Sequence, residues 1–314
     1  MKTIRDITQP MEPCVATIGF FDGVHLGHRH LIERVISEAR ERGLQSTVIT
    51  FDRHPREVLQ SDFKPKLLTT LDEKLLMLSL SEADACVVLP FTLDLAQLTA
   101  REFMEWLKEK LNVKVLVTGY DNRFGHDRVD GFDDYVRFGR EIGMEVLQAT
   151  PLAMGGINVS SSAVRRMIDE GEVELAAKCL GRPYTLRSTV VHGEHVGTGI
   201  GFPTANFSME ELADRIIPAP GVYAVKVRLD GAVEWKRAMT NIGTRPTFDG
   251  QKLSMESHIF RCSDDLYGKK IIVAFIHRLR AEQRFDSREE LTAQLKKDAQ
   301  MVEEQFEKEI LNED

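Results

Sequence analysis

Two histidines three residues apart follow a short apolar run near the start of the chain. They belong to the segment Gly19-Phe20-Phe21-Asp22-Gly23-Val24-His25-Leu26-Gly27-His28, directly after a predicted strand. Glycines let the backbone turn tightly and approach a ligand closely, and a helix that begins here directs free N–H groups and its positive dipole end at that ligand. At the first helical turn His25 and His28 can face the same anion. The segment therefore predicts a phosphate site; a tight turn with two capping or solvated histidines is the alternative.

Two later segments carry polar side chains that could join this site. The run Gly119-Tyr120-Asp121-Asn122-Arg123-Phe124-Gly125 follows another predicted strand, and Ser160-Ser161-Ser162-Ala163-Val164-Arg165 opens a predicted helix. Serine hydroxyls at a helix start can bond backbone N–H groups or an anion, and Arg165 adds a cation one turn later. The serines and Arg165 predict a pyrophosphate clamp, with a plain helix cap as the alternative. The run 119–125 is expected at the ligand-binding edge of the same site, with an ordinary polar loop as the alternative.

A second set of candidate residues lies in the other half of the chain. Its centre is the glycine-rich run Gly193-Glu194-His195-Val196-Gly197-Thr198-Gly199-Ile200-Gly201-Phe202-Pro203-Thr204-Ala205-Asn206. Such spacing allows a flexible loop over phosphates, although a turn-rich barrel would supply similar glycines by itself. Two further segments accompany the run, Asn241-Ile242-Gly243-Thr244-Arg245-Pro246-Thr247 and Met255-Glu256-Ser257-His258-Ile259.

The composition limits the function classes. The chain has 314 residues, which favours two domains, and a formal net charge of −8 from 41 Lys and Arg against 49 Asp and Glu. This balance argues against a general nucleic-acid binder and leaves room for local basic pockets. The four cysteines form no C-x-x-C pair, which argues against a zinc site or a disulfide framework and favours a reducing compartment. No apolar run of about 18 residues and no export-type start is found, so we expect a cytoplasmic protein without a membrane partner.

The elements that must position the first set of residues form an alternating pattern. Apolar runs at 14–19, 46–51, 85–89, 113–119 and 144–148 alternate with helical stretches at 26–43, 72–80 and 99–111. This alternation predicts parallel strands in an α/β, Rossmann-like sheet. Ligands of such sheets bind outside the carboxyl ends of the strands, which is where the candidate residues lie.

The character of the chain changes after a second helical region at about 160–180. From Tyr184 onward short β-rich runs are punctuated by glycine and proline, which predicts an antiparallel β-barrel. We therefore predict domains at 1–182 and 183–314. The stretch from 287 to about 311 predicts a helix whose apolar face carries Leu291, Leu295, Ala299, Val302, Phe306 and Ile310. We expect this helix to pack on its own barrel, with a partner-binding helix as the alternative.

The histidine segment resembles the H-x-G-H signature of nucleotidyltransferases, and the segments of the second half together resemble riboflavin kinase. In this order the two halves resemble the bacterial bifunctional riboflavin kinase/FAD synthetase family, over residues from about 16 to about 298. The G-F-P-T-A-N and G-F-F-D-G-V-H-x-G-H runs are each fairly specific, and their combination in one chain is more so. The resemblance implies phosphorylation of riboflavin to FMN by ATP, followed by adenylylation of FMN to FAD with release of pyrophosphate.

For the second half, the resemblance implies that Thr204 and Asn206 bind Mg²⁺ together with the ATP phosphates, as suits a cation that prefers oxygen ligands. It also implies that Glu256 is the base that accepts the proton of the riboflavin 5′-hydroxyl, where the alternative is a surface glutamate on a strand. The other positions expected to bind nucleotide or flavin in this half are Gly197, Gly199, Asn241 and Arg280.

For the first half, the resemblance implies that His25 and His28 stabilise the ATP triphosphate during adenylyl transfer. Arg165 is expected to act with them on the phosphates. The attacking group is a phosphate oxygen that is already anionic, so the chemistry needs positioning and charge stabilisation more than proton abstraction. The other positions expected to bind nucleotide are Gly19, Phe20, Asp22, Gly23, Asp121, Ser160 and Ser161.

The chain departs from the family pattern at several positions. Thr198 stands where relatives commonly carry Arg or Lys, so one phosphate-facing charge is absent or supplied elsewhere, which bears on kinase efficiency. Asn122 stands where many relatives carry an aromatic residue. Ser162 and Ser257 replace threonines and keep the hydroxyl group, and Ser188 replaces a frequent glycine.

Two other functions are weighed against this interpretation. The chain could retain only one of the two activities. Alternatively, it could be a regulator that senses flavin without turnover and acts on a nucleic acid. The net charge and the lack of a basic run weigh against such a regulator, and the paired histidines and Glu256 are groups that binding alone would not require.

Overall fold

The chain folds into two units, Met1–Ser161 and Ser162–Asp314, in a computed structural model. The structure describes residues 1–8, 11–60, 62, 64–120, 122–126, 131–193, 199, 201–247 and 250–312. The division between the units precedes the predicted domain boundary at 182/183. That boundary concerns where the two activities divide, and it stays a prediction.

A six-stranded parallel sheet forms the centre of the first unit. Its strands are β1 (Lys2–Ile4), β2 (Cys14–Ile18), β3 (Gln45–Phe51), β4 (Ala85–Leu89), β5 (Val113–Thr118) and β6 (Glu145–Gln148). They lie in the order β1-β4-β3-β2-β5-β6, and all neighbours run parallel. The predicted Rossmann-like sheet is therefore confirmed. The direction of the strand order reverses at β2, so a ligand crevice is expected outside the carboxyl ends of β2 and β5.

Helices cover both faces of this sheet. They are α1 (Leu26–Arg42), α2 (Pro55–Leu59), α3 (Leu71–Ser79), α4 (Leu93–Gln97), α5 (Ala100–Leu111) and α6 (Phe132–Ile142). Side chains alternate along a strand, so the adjacent residues Val48 and Ile49 of β3 enter different cores. Val48 packs with α1, and Ile49 packs with α5. A short hairpin of β7 (Ala153–Met154) and β8 (Ile157–Asn158) ends the unit.

The second unit is a closed antiparallel barrel preceded by the helices α7 (Ser161–Asp169) and α8 (Val173–Leu180). The barrel strands are β9 (Tyr184–Val191), β10 (Ala205–Phe207), β11 (Gly221–Leu229), β12 (Lys236–Thr247), β13 (Gly250–Ile259) and β14 (Lys270–Ala281). Their order around the barrel is β10-β13-β12-β11-β14-β9, which confirms the predicted barrel.

The terminal helix α9 (Arg288–Asn312) packs on this barrel, as predicted. Val302 and Phe306 of α9 are 0% and 2% exposed and pack against Ala224 of β11 and Met239 of β12. Among the residues that the structure describes, no helix has both the length and the apolar character needed to cross a membrane.

Candidate active sites

The segment 19–28, a loop that continues into the first turn of α1, leaves β2 where the strand order reverses. Phe21, Gly23 and Val24 adopt φ values of 55°, 79° and 40°, and only glycine takes such values without steric cost. A β-branched residue such as Val24 holds a positive φ only where its surroundings impose it, and such strain concentrates at functional sites. The fold therefore holds this loop in one specific turn directly before α1.

The carboxylate of Asp22 fixes this turn from inside. Asp22 is 2% exposed and accepts hydrogen bonds from the backbone N–H groups of Leu68, at 3.0 and 3.1 Å to its two oxygens, and of Thr69, at 3.0 Å. The Thr69 hydroxyl donates to Asp22 at 3.1 Å and accepts from the N–H of Gly23 at 3.0 Å. These bonds make Asp22 a support of the loop, and its direct contact with nucleotide stays a prediction.

His25 caps the N-terminus of α1 and stacks on His28. The ring centroids are 3.5 Å apart with the planes inclined by 20°, and the backbone N–H of His28 donates to Nδ1 of His25 at 3.2 Å. Nδ1 of His25 therefore carries a lone pair, and the neutral ring has its proton on Nε2. The structure brings both predicted imidazoles together at the first turn of α1, where the helix dipole favours an anion.

Gly27 allows the chain after β8 to approach this helix start. A Cβ at residue 27 would lie 2.9 Å from the carbonyl oxygen of Val159, closer than real side chains come. Just beyond, the hydroxyl of Ser161 donates to the carbonyl oxygen of Asp22 at 3.0 Å. The structure thus brings the predicted serine segment, with Ser160 within it, against the loop.

Two predicted residues of the adenylyl site are less closely defined. Arg165 lies four residues after Ser161 on α7, within the second unit, and its action on the phosphates stays a prediction. Asp121 lies outside the described residues. Its neighbour Asn122 donates its side-chain amide to the carbonyl oxygen of Ile18 at 2.7 Å, so it ties the loop after β5 to the end of β2.

In the barrel, strand register aligns the predicted kinase residues in one row. Asn206 on β10 pairs with Glu256 on β13, which pairs in turn with Asn241 on β12. Val222 on β11 then pairs with both Asn241 and Arg280 of β14. Directly opposite residues of neighbouring strands carry their side chains on the same face. The structure therefore sets Asn206, Glu256 and Asn241 side by side, with Arg280 at the far end of the row.

This row lies on the outer face of the barrel. Residues adjacent to it in sequence are buried in the barrel interior, namely Ala205, Phe207, Thr240, Ile242, Met255 and Ser257. There the hydroxyls of Thr240 and Ser257 hydrogen-bond at 2.6 Å. Ser257, which stands where relatives carry threonine, therefore still supplies the hydroxyl for this bond. Since strand side chains alternate, Glu256 faces outward between two inward neighbours.

Thr204 bonds Glu256 directly, and Asn206 lies opposite Glu256 in the strand register. The hydroxyl of Thr204 donates to a carboxylate oxygen of Glu256 at 3.1 Å. The amide of Asn206 packs against Gly193, where a Cβ would lie only 2.1 Å from Nδ2 and 2.8 Å from Oδ1. Gly193 is thus required for the approach of the two segments. The strand register and the Thr204–Glu256 bond bring a hydroxyl, an amide and a carboxylate to neighbouring positions, and oxygen atoms of these kinds are the ligands that Mg²⁺ prefers.

His258 holds the segment that carries Thr204, a role that sequence reasoning missed. A ring nitrogen of His258 hydrogen-bonds the carbonyl oxygen of Pro203 at 2.8 Å, and its ring meets that of Phe202 edge-on with centroids 5.0 Å apart. His258 lies two residues after Glu256 on β13 and so shares its face of the strand. That alternation was the signal in the sequence that could have revealed it.

A cavity of about 340 Å³ adjoins Thr204. Its walls include the apolar Val190, Ile259 and Leu266 and the ring of Tyr267. That ring stacks on His192 with centroids 4.2 Å apart. A planar, partly apolar group fits such walls, and Asp264 and Asp265 line the same cavity together with Thr204.

Arg280 is held by a buried carboxylate of the terminal helix. Asp298 of α9 is 0% exposed and accepts hydrogen bonds from Nε and Nη2 of Arg280 at 3.0 and 2.8 Å. Gln294 donates to the same carboxylate at 2.9 Å. The guanidinium is therefore fixed in orientation, and its predicted proximity to the flavin stays a prediction.

The remaining predicted residues concern the glycine-rich run. Gly197 and Thr198 lie outside the described residues. At Gly199 a Cβ would meet no described atom within 4 Å, so nothing here requires glycine for close packing. Ser188 is 1% exposed and donates to the carbonyl oxygen of Ser208 at 3.0 Å, so the barrel accommodates serine at this position.

Comparisons with known proteins agree with this division into two sites. The FAD synthetase family model matches residues 7–163, and the riboflavin kinase family model matches residues 180–306. A bifunctional riboflavin kinase/FMN adenylyltransferase of Escherichia coli (strain K12) is 39% identical over 303 residues, which cover 95% of this chain and 96% of the relative. One from Listeria monocytogenes is 38% identical over 290 residues, which cover 91% and 90%.

A solved structure extends the likeness to the fold. A Streptococcus pneumoniae chain described as a macrolide-efflux protein is 32% identical and superposes with a TM-score of 0.86 over 96% of this chain and 99% of that chain. Its description names efflux, which neither family model names. Two family models and full-length relatives that carry one shared name point the same way. This chain belongs to the family of bifunctional riboflavin kinase/FMN adenylyltransferases.

Proposed function

We propose that the barrel phosphorylates riboflavin to FMN with ATP and that the α/β unit adenylylates FMN to FAD. The observation that carries this proposal is the row Asn206–Glu256–Asn241 with the Thr204 hydroxyl on the Glu256 carboxylate. This row places a candidate base, Glu256, beside side chains with neutral oxygen atoms on one face of the barrel. The stacked histidines at the start of α1 supply the second, separate phosphate site.

In the kinase step, Glu256 takes the proton of the riboflavin 5′-hydroxyl as that oxygen attacks the γ-phosphorus of ATP. A bond forms between the 5′-oxygen and the γ-phosphorus, and the bond from that phosphorus to the β,γ-bridging oxygen breaks, so that ADP leaves. Little covalent chemistry falls to the protein in such a transfer, which depends on positioning and charge stabilisation. The cavity beside Thr204 suits the base and sugar of ATP, with the phosphates at the Thr204 end.

Thr204 and Asn206 are the residues that would hold Mg²⁺. Support comes from the donor types and from the close packing of Gly193 on the Asn206 amide, which fixes that amide in place. When bound, Mg²⁺ would neutralise phosphate charge in the transition state. Thr204 would then give its oxygen to the ion while its proton stays directed at Glu256.

In the adenylylation step, a phosphate oxygen of FMN attacks the α-phosphorus of ATP, and pyrophosphate leaves. That oxygen is already anionic, so no base is required. His25, His28 and the free N–H groups at the start of α1 bind the triphosphate and stabilise the charge of the leaving pyrophosphate. Ser160 and Ser161, which lie in the same unit as the histidines, add hydroxyl groups for the binding of phosphate.

Product analysis tests both steps on one chain. With riboflavin, ATP and Mg²⁺, chromatography should detect FMN and then FAD; FMN alone would show that only the kinase is active. Glu256→Gln should abolish FMN formation and leave conversion of supplied FMN to FAD intact, and His28→Ala should do the reverse. Each variant is the control for the other. Loss of both steps in either folded variant would refute the division of labour, and flavin binding without ATP consumption would indicate a sensor instead.

A further inference from the structure

Lys74 is a buried lysine that neither proposed reaction uses. It lies on α3 and is 1% exposed. Its Nζ donates hydrogen bonds to the backbone carbonyl oxygens of Phe20 at 3.0 Å and Phe51 at 2.9 Å. The ammonium group also lies 4.0 Å from the centroid of the Phe20 ring. Lysines are almost never fully buried without a specific reason, because transfer of the charge from water is costly.

The two carbonyl groups mark the ends of neighbouring parallel strands. Phe51 is the last residue of β3, and Phe20 is the second residue after β2, inside the loop 19–28. The hydroxyl of Thr50 donates to the same Phe20 carbonyl at 3.1 Å. Lys74 therefore ties the start of the loop to the adjacent strand at the edge where ligands of such sheets bind.

Residues of the segment 68–74 form hydrogen bonds with the loop at two points. Leu68 and Thr69 hold the carboxylate of Asp22, and Lys74 holds the carbonyl of Phe20. Between and beyond these points the backbone takes the positive φ values of 55° at Phe21 and 40° at Val24. Such conformations persist only where the surroundings impose them. Loss of the hydrogen bonds at one of these points should let the loop relax toward ordinary φ values.

The charge of Lys74 depends on pH. Burial lowers its pKa to about 8, against the opposing influence of Asp22 before α1, the Cys86 thiol on β4 and Asp52 after β3. Below that pH the ammonium adds a positive charge beneath the loop. Above it the neutral amine keeps two N–H groups, enough for both carbonyls, but no charge. A rise in pH therefore removes the charge and leaves the hydrogen bonds, whereas a substitution can remove both.

We propose that Lys74 is a positioning residue for the ATP phosphates in adenylyl transfer. Through the Phe20 carbonyl it holds the loop that leads into α1, and its ammonium places a cation behind that loop. The inference rests on the proposed adenylyltransferase function of the first unit. It predicts that Lys74 acts on ATP binding in one of the two reactions of the chain and leaves the other unchanged.

The test compares Lys74→Met and Lys74→Arg in the full chain, with Lys114→Met at an exposed strand position as the matched control. We expect Lys74→Met to raise the KM for ATP in FMN adenylylation about tenfold or more, as the loss of two hydrogen bonds from a charged donor requires. Riboflavin phosphorylation by the same preparation should keep its constants, and Lys74→Arg, which keeps the charge, should lie between wild type and Lys74→Met. Unchanged adenylylation constants in Lys74→Met would refute the proposal.

A pH profile covers the case in which Lys74→Met does not fold. For the wild-type chain, the KM for ATP in adenylylation should rise as the pH passes through about 8, and in Lys74→Arg it should not, since arginine stays charged there. The same profile for riboflavin phosphorylation is the internal control. Identical profiles for wild type and Lys74→Arg would overturn the role of the charge. A wild-type chain that makes no FAD from FMN would instead refute the proposed function itself.

Discussion

Removal of the Asp298 carboxylate tests how the terminal helix holds Arg280, at the end of the proposed kinase row. Asp298 is 0% exposed and accepts hydrogen bonds from Arg280 and Gln294, and the side chain of Arg280 is 17% exposed. Asp298→Ala leaves this guanidinium without its counter-charge. Loss of one partner of a buried ion pair costs about 3–5 kcal/mol. This is a large fraction of the roughly 5–15 kcal/mol that stabilises a domain.

The expected change in melting temperature follows from this free energy. For a domain of the size of the second unit, 1 kcal/mol corresponds to about 2–4 °C, so the unfolding transition of that unit should fall by roughly 6–20 °C. Calorimetry of the full chain measures it directly. Riboflavin phosphorylation should be lost at correspondingly lower temperature, because α9 packs beside the row that ends at Arg280.

An exposed ion pair of the same barrel supplies the control. Asp230 and Arg187 form a pair in which the side chains are 33% and 41% exposed, so Asp230→Ala should cost no more than about 1 kcal/mol. The double variant Arg280→Met/Asp298→Leu should recover most of the stability that Asp298→Ala loses, because apolar groups can replace a buried ion pair. Equal shifts for Asp298→Ala and Asp230→Ala would refute the reasoning.

Three further predictions concern close packing and thiol chemistry. Gly27→Ala should impair FAD formation from FMN and spare the kinase, because the added Cβ would lie 2.9 Å from the Val159 carbonyl oxygen. Helix propensity alone would predict that this change favours the helix. Steady-state rates of both reactions check the prediction, and an unimpaired variant would contradict it. Gly193→Ala should have the opposite selectivity, since its Cβ would lie 2.1 Å from the Asn206 amide; equal effects on both reactions would count against the kinase assignment. Burial raises the pKa of the Cys14 and Cys86 thiols to about 11, so iodoacetamide at about pH 8 should label the partly exposed Cys262 and not these two in the folded chain. Mass spectrometry reads the sites, and labelling of Cys14 before unfolding would show the burial to be wrong.

The core of the first unit could be predicted from the sequence because its central strands are continuous apolar runs. The predicted strand 85–89 coincides with β4, and 14–19 extends one residue beyond β2. By contrast, the sequence prediction contains neither β1, the helices α2, α4 and α6 nor the hairpin of β7 and β8. Two residues of β1 are exposed, and α2 and α4 have five residues each, too few for a helical period to emerge.

Motifs predict the candidate site residues, whereas only some of the residues that support them leave a signal in the sequence. Lys74 reads as an ordinary lysine of an amphipathic helix, and only tertiary packing places it against Phe20 and Phe51. Asp298 did leave a signal. The buried or half-buried positions 291, 295 and 302 of α9 form one helical face, and 298 falls on it. A carboxylate on an apolar face indicates a buried partner, which is Arg280.

The register of β13 links the barrel core to the proposed kinase site. A slip of one residue would turn Glu256 inward and bring Met255 or Ser257 to the outer face. Met255 is 1% exposed, and the buried hydroxyls of Ser257 and Thr240, which are register partners on the adjacent strands β13 and β12, hydrogen-bond at 2.6 Å. Both contacts are lost in the slipped register, so the buried neighbours of Glu256 hold its carboxylate opposite Asn206 and Asn241. The same strand therefore supplies both core residues and the proposed base, and we expect a change at Met255 or Ser257 to act on the kinase reaction without touching a substrate.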